Sequence, residues 1–185
     1  AYRLAPDPEE VDAALRALAV AERPVIVAGG GVAISEAGRE LVALAEKLNI
    51  PVAVSLNGKE AIADDHPLAI GLVGSYGRAC ANQIVREADL VFFVGSRTGG
   101  LTTSNWKVPA PGTAVVQLDI EPTAIGRNYP VQAGILGDAR VALRMMVEAA
   151  RPGPARQAWL EHARDLVRRW REEMEPKASS DAVPI

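Results

Sequence analysis

Three consecutive glycines, Gly29-Gly30-Gly31, follow the apolar run "PVIVA" and precede a helical pattern that begins after Ser35. A glycine turn between a strand and a helix exposes backbone N–H groups. The helix start adds about half a positive charge, so an anion such as a phosphate is favoured there. Arg97, in "VGSRTGG", offers a guanidinium suited to gripping two phosphate oxygens at once. Asp119, in "QLDIEP", offers an acid that could hold a ribose hydroxyl, with the apolar Ile120 beside it. Each has a plainer use as well. Glycines permit a tight turn, Arg97 could pair with a surface carboxylate, and Asp119 could cap or turn the chain before Pro122.

The pattern is not that of a dinucleotide-dependent dehydrogenase. Counting G-x-G-x-x-G from Gly29 puts Ile34 where the third glycine belongs, and the second apolar run closes on Ser55-Leu56 without an acid. Other candidates carry less. His66 and His162 are the only histidines and have no ligand-spaced partner, and Lys59 in "LNGKEA" reads as a solvated lysine. Asp138 in "GDA" reads most simply as the cap of the helix after it. A single cysteine, Cys80, precludes an intrachain disulfide and a thiolate metal cluster. No nucleophile elbow or Walker loop occurs.

The elements that must position these residues are legible from periodicity. Six short apolar runs, 24–29, 51–56, 68–74, 89–96, 113–120 and 132–136, are mostly continuous rather than alternating, as in strands covered on both faces. Helices are expected between them. The first has Asp7 as N-cap, Pro8 at N1 and a stripe of Val11, Leu15, Leu18 and Ala19. The second has Leu41, Leu44, Ala45 and Leu48 and stops at Asn49; the third covers about 77–88, and the fourth runs from Asp138 to about Ala150. A helical turn is expected after Pro122. Alternating strands and helices imply an α/β fold with a doubly wound, six-stranded parallel sheet. In the usual strand order 3-2-1-4-5-6, the loops after the first and fourth strands flank one crevice, which brings the glycines and Arg97 together. After "RPGP" a separate helix, about 155–174, carries Trp159, Ala163, Leu166, Val167 and Trp170 on one stripe. It reads as an interdomain connector, with a helix docked on its own domain as the alternative. The last ten residues are polar and expected to be loose.

Composition excludes several classes. With 49% hydrophobic and 23% charged residues in 185, the chain is globular rather than disordered. A net charge of −3 without a basic cluster argues against nucleic acid. No apolar run is long enough to span a bilayer and no signal peptide is evident, so a cytoplasmic protein without membrane contact is expected. The chain starts at Ala1 and stops in "DAVPI", which reads as a segment of something longer.

Five motifs, "RPVIVAGGGV", "IPVAVSLNGKEAIADDHPLAIGLVG", "ADLVFFVGSR", "VVQLDIEPTAIGRNYP" and "GDARVAL", fall in one order and spacing across residues 8 to 150. Together they closely resemble the central domain of thiamine diphosphate-dependent enzymes of the acetolactate synthase and pyruvate oxidase group. The resemblance implies a three-layer, Rossmann-like domain of the DHS-like NAD/FAD-binding type at 1–150, and a connector helix and tail at 151–185. It implies a parent enzyme, a transferase or lyase acting on 2-oxo acids and assembled as a homodimer or homotetramer. In such a parent a pyrimidine-binding domain precedes this segment and a diphosphate-binding domain follows it. Thiamine diphosphate and Mg2+ would be bound by those domains, so the segment alone would be catalytically silent.

In relatives whose central domain binds FAD, ADP or a CoA nucleotide, the matching positions are Gly29, Gly30, Gly31, Arg97, Asp119 with Ile120, and Asp138 near the adenine end. Flavin-binding members tend to follow the arginine with an aromatic residue and acids, whereas this chain continues Thr98-Gly99-Gly100-Leu101-Thr102. Decarboxylases and lyases of the family keep the domain with no flavin. Two other readings share the topology: a nucleotide-binding module of the electron-transfer flavoprotein or sirtuin-like type, and a purely structural spacer.

Overall fold

A computed structural model describes residues 3–178. Six strands form one parallel sheet in the order β3-β2-β1-β4-β5-β6. They are β1 (Pro24–Ala28), β2 (Val52–Val54), β3 (Ala69–Leu72), β4 (Leu90–Val94), β5 (Ala114–Asp119) and β6 (Ala133–Leu136). All six apolar runs are strands, each trimmed at its ends where the chain turns. The helices are α1 (Pro8–Val20), α2 (Gly30–Ile34), α3 (Gly38–Leu48), α4 (Ala79–Glu87), α5 (Ala139–Ala149) and α6 (Gln157–Ala178).

Alternation along the strands divides the core into two layers. Ile26, Ala28, Val52, Val54, Phe92, Val94, Val116, Leu118 and Ile135 pack with α1, α3 and α5. Val25, Val27, Ala53, Ile70, Val91, Phe93 and Val115 pack with α4 and α6. Successive side chains leave a strand on opposite faces, so a strand between two helical layers must be apolar throughout. Every residue of β1 and β4 is buried. Among the described residues no helix is long and apolar enough to cross a membrane.

Local chemistry sets the helix ends. Asp7 accepts a hydrogen bond from the Glu9 amide at 2.8 Å and Pro8 starts α1, as expected. Along that helix Ala14 and Ala17 are buried and Ala19 is exposed, so the buried stripe is rotated from the expected one. The helix expected after Ser35 is α3; an additional short helix, α2, begins at Gly30 in the glycine turn itself, and Glu36, at φ 53°, separates the two. Asn49 ends α3 in the left-handed conformation, at φ 54°.

The expected connector is docked. In α6, Trp159, Ala163 and Val167 are buried against the α4 layer, and the Trp159 indole N–H donates to the Pro24 carbonyl at 3.0 Å. The linker before it is fastened too: the Gly153 amide donates to the Lys47 carbonyl at 2.9 Å and Asn49 Nδ2 to the Pro154 carbonyl at 3.2 Å. Arg156 donates to the carbonyls of Leu18 and Ala21 at the end of α1 and of Leu48 at the end of α3. One guanidinium thus satisfies the free carbonyl ends of two helices. The helix continues through Pro176 to Ala178, so the start of the tail expected to be loose is helical; the rest lies outside the described residues.

Candidate functional site

Strand order reverses between β1 and β4, so the loops after these two strands flank the crevice where open parallel sheets bind ligands. The glycine turn forms one wall, but it is closed onto the other. The Gly29 amide donates to the Val94 carbonyl at 2.8 Å and the Gly31 amide to the Gly95 carbonyl at 3.0 Å. A Cβ on Gly29 would lie 2.2 Å from the Gly95 oxygen, and one on Gly31 would lie 2.7 Å from the Gly95 Cα. Gly95 itself has φ +58°. These glycines are therefore required by the close approach of two backbones. Two of the three amides expected to face a phosphate are occupied within the sheet.

Arg97 lies on the opposite wall, exposed, and its guanidinium has no hydrogen-bond partner among the described residues. It acts electrostatically on Glu121, whose carboxyl is held below the usual range by the Thr123 hydroxyl and amide and then by Arg97. Asn128 fixes the Arg97 backbone by donating to the Arg97 carbonyl at 3.0 Å and the Thr98 carbonyl at 3.2 Å. Asp119, at the end of β5, is only 7% exposed, and its Oδ1 accepts from the Glu121 amide at 3.0 Å. Its Oδ2 has no hydrogen-bond partner among the described residues. Ile34 and Ile120 stand at the mouth, 86% and 57% exposed.

These groups enclose one small cavity of about 150 Å³, lined by Gly31, Ile34, Gly95, Arg97, Asp119 and Ile120 among others. The structure therefore brings Gly31, Arg97, Asp119 and Ile120 together. Gly29 and Gly30 do not line this cavity. Asp138 does not line the cavity, although its neighbours Gly137 and Ala139 do. Its Oδ1 accepts from the Arg140 and Val141 amides at 3.1 and 3.2 Å, capping α5. Arg3 donates to both carboxylate oxygens at 3.0 Å and the Ser35 hydroxyl to Oδ2 at 3.1 Å. Burial pushes this carboxyl up, but the Val141 amide, Arg3 and Ser35 outweigh burial and hold it below its ordinary range. A carboxylate so engaged serves as helix cap and tie.

Three residues not singled out above shape the site. Gly95 is the glycine against which the triplet packs. Gln117, buried in the middle of β5, donates from Nε2 to the Ser96 and Ala124 carbonyls at 3.1 and 3.0 Å, and its Oε1 accepts from the Gly126 amide at 3.0 Å. It joins the loops after β4 and β5; its signal was a polar residue inside "AVVQLD". Asn128 does the same from outside. The remaining candidates lie elsewhere. His66 accepts from the Leu68 amide at Nδ1 and meets Glu46 at 3.3 Å, while His162 on α6 meets Glu87 at 2.6 Å. Lys59 lines a separate cavity of about 470 Å³ with Leu56, Tyr76 and Arg78, beyond β2 and β3. Among the described residues no three His, Cys, Asp or Glu side chains are placed to hold a metal ion.

The family model described as thiamine pyrophosphate enzyme, central domain, matches residues 11–146. A probable acetolactate synthase large subunit of Methanocaldococcus jannaschii is 40% identical over 161 residues, covering 86% of this chain and 27% of that protein. A glyoxylate carboligase of Escherichia coli is 36% identical over 195 residues, covering 100% of this chain and 32% of that protein. The acetolactate synthase isozyme 3 large subunit of Escherichia coli is 34% identical over 166 residues, covering 90% and 28%. The chain thus spans about a quarter to a third of the length of the curated relatives it matches.

Proposed function

The chain belongs to the family of thiamine pyrophosphate enzyme central domains, and from that premise we propose that it works as the non-catalytic middle part of a larger carboligase or decarboxylase of 2-oxo acids. The observation that carries this reading is the similarity itself, which runs from α1 through α5 across both walls of the crevice. Thiamine diphosphate with Mg2+, bound by other parts of such a protein, would supply the carbanion chemistry. The residues of this chain would supply orientation and a docking rim. Of the eight large apolar side chains exposed among the described residues, six, Ile34, Leu56, Tyr76, Leu101, Trp106 and Ile120, lie beyond the carboxyl ends of strands, while Val20 and Met174 are on α1 and α6. Apolar exposure concentrated on one rim supports contact there with the flanking pyrimidine-binding and diphosphate-binding domains. A cytoplasmic location is part of the same reading.

The crevice is assigned, within this reading, to one end of an adenine nucleotide. A guanidinium without a hydrogen-bond partner, a carboxylate with one open oxygen and two exposed isoleucines suit a phosphate, a ribose hydroxyl and a flat ring respectively. Because the Gly29 and Gly31 amides are occupied, Arg97 rather than the glycine turn would hold the phosphate. A cavity of about 150 Å³ takes only part of such a ligand, and the rest would lie along the rim. The loop Thr98–Thr102, without aromatic or acidic residues, favours an ADP-type ligand over FAD. A structural spacer is the second reading, favoured by the packing of Gly29 and Gly31 on Gly95, which accounts for them without any ligand.

The gene sequence on either side of this segment tests the parent. A glutamate-bearing pyrimidine-binding domain upstream and a glycine-aspartate-glycine motif downstream are expected, with thiamine diphosphate-dependent turnover of a 2-oxo acid by the whole protein and none by this chain alone. Turnover by the chain alone, or a whole protein lacking both domains, would overturn the proposal.

A further inference from the structure

The outer strand β3 carries a glycine at its third position, Gly71, with φ +91°. A Cβ there would lie 2.6 Å from Cδ of Arg78 and 2.8 Å from one of its terminal nitrogens. The Arg78 side chain thus lies flat against the backbone of β3, in the space a side chain would take. Asp64 receives it on both oxygens, with Nη1 at 2.9 Å and Nη2 at 3.0 Å. The guanidinium also lies over the indole of Trp170 on α6, 4.7 Å from ring centroid to guanidinium carbon. Arg171, the next residue of α6, donates to the Asp64 carbonyl at 2.7 Å and stands 3.8 Å from its carboxylate.

Strand, guanidinium and indole therefore form a stack, with Asp64 holding two arginines at its side. Planar, delocalised guanidinium is the cation that can bind a carboxylate bidentately along its edge while stacking on an aromatic face. The hydrogen bond from Arg78 holds the Asp64 carboxyl below its usual range despite the opposing effect of burial. This cluster is the far end of the α6 attachment. The near end is Arg156 in the carbonyls of α1 and α3, and the middle is the buried face of Trp159, Ala163 and Val167. Beyond Val167 no residue of α6 up to Pro176 is buried, and Trp170 and Arg171 tie that half to this cluster.

We infer that Arg78 is a positioning residue that clamps the distal half of α6 across the outer strand, making α6 a fixed arm of this domain. The inference concerns only residues of this chain and does not depend on the thiamine reading. It needs Gly71, because any side chain there would lift the guanidinium off the strand.

Amide hydrogen exchange of the full chain, read by mass spectrometry, tests it. Peptides covering 164–174 are expected to be protected to the same order as α4. Arg78→Ala is expected to speed exchange there by about tenfold or more, with β1 and α5 unchanged. Trp170→Ala, which removes the aromatic partner of the guanidinium, should do the same, and Arg78→Lys should behave like the alanine variant because an ammonium cannot stack and fork together. Exchange over 164–174 that is unchanged in the alanine variants would overturn the inference. So would unprotected exchange in the parent chain, or acceleration that spreads equally to β1 and α5.

Discussion

Replacing each glycine of the triplet by alanine separates a packing role from a ligand role. In Gly29→Ala the new methyl would sit 2.2 Å from the Gly95 carbonyl oxygen, against an ordinary contact of 3.4–4 Å. The obstacle is backbone at the centre of the sheet, so β1 and β4 must part by about 1 Å, and overpacking of this kind costs about 1–3 kcal/mol. The parting also weakens the Gly29 to Val94 hydrogen bond of 2.8 Å, which contributes about 1 kcal/mol net. A loss of about 3 kcal/mol follows, a large share of the roughly 5–15 kcal/mol of a whole domain. For a chain of this length that lowers Tm by about 6–12 °C. Gly31→Ala, whose methyl would meet the Gly95 Cα at 2.7 Å, should lose about 1–2 kcal/mol. Gly30→Ala meets only the Asn57 Cβ at 3.1 Å, and the better helix propensity of alanine, about 1 kcal/mol, offsets that crowding. The order of stability, measured by urea denaturation without any nucleotide, should be Gly30→Ala close to the parent, then Gly31→Ala, then Gly29→Ala. A Gly29→Ala variant within about 0.5 kcal/mol of the parent, or a Gly30→Ala variant that is the worst of the three, would refute the reasoning.

Removing the Asp138 cap by Asp138→Ala should lower stability at neutral pH by about 2–3 kcal/mol, since two amides, Ser35 and Arg3 lose their acceptor. The folded carboxyl is held low, so its contribution is complete above the unfolded value of about 4 and fades as pH falls through the folded value. The acid limb of stability against pH should therefore be shallower in the variant. Arg156→Ala should cost about 2–4 kcal/mol by leaving the carbonyl ends of α1 and α3 without their donor, and Arg156→Lys should recover only a small part, because one ammonium cannot span three carbonyls on two helices. Arg97→Ala should change stability by less than about 0.5 kcal/mol, because its guanidinium is exposed and without a hydrogen bond among the described residues.

The sheet was legible because its signal is redundant. Each strand is buried on both faces, so "PVIVA" and "LVFFV" are apolar at every position, and the observed strand order is the usual one taken for such an alternation of strand and helix. The caps at Asp7 and Asp138 were legible because capping is local. The meaning of the glycine triplet was not. Its partner is Gly95, more than sixty residues away, and a close approach of two backbones leaves no periodic trace. The expected turn of free amides is instead a contact between β1 and β4 with two of its amides occupied. The docking of α6 stayed open beside the connector reading, since nothing in the sequence pairs Arg156 with the carbonyl ends of α1 and α3 or Arg78 with the Trp170 indole. Arg97 lies beside the glycine turn, as expected, because the loops after β1 and β4 meet at the switch point, and Asp119 joins them from the end of β5, the next strand over.

The central claim, that the crevice between Gly31, Arg97, Asp119 and Ile120 holds one end of an adenine nucleotide, is tested most directly by calorimetric titration of ADP, FAD and coenzyme A into the purified chain and into Arg97→Ala. The account predicts saturable binding of ADP below about 1 mM, weakened about tenfold or more in the variant while its stability is unchanged. No binding of any of the three at millimolar concentration, or binding indifferent to Arg97, would contradict it.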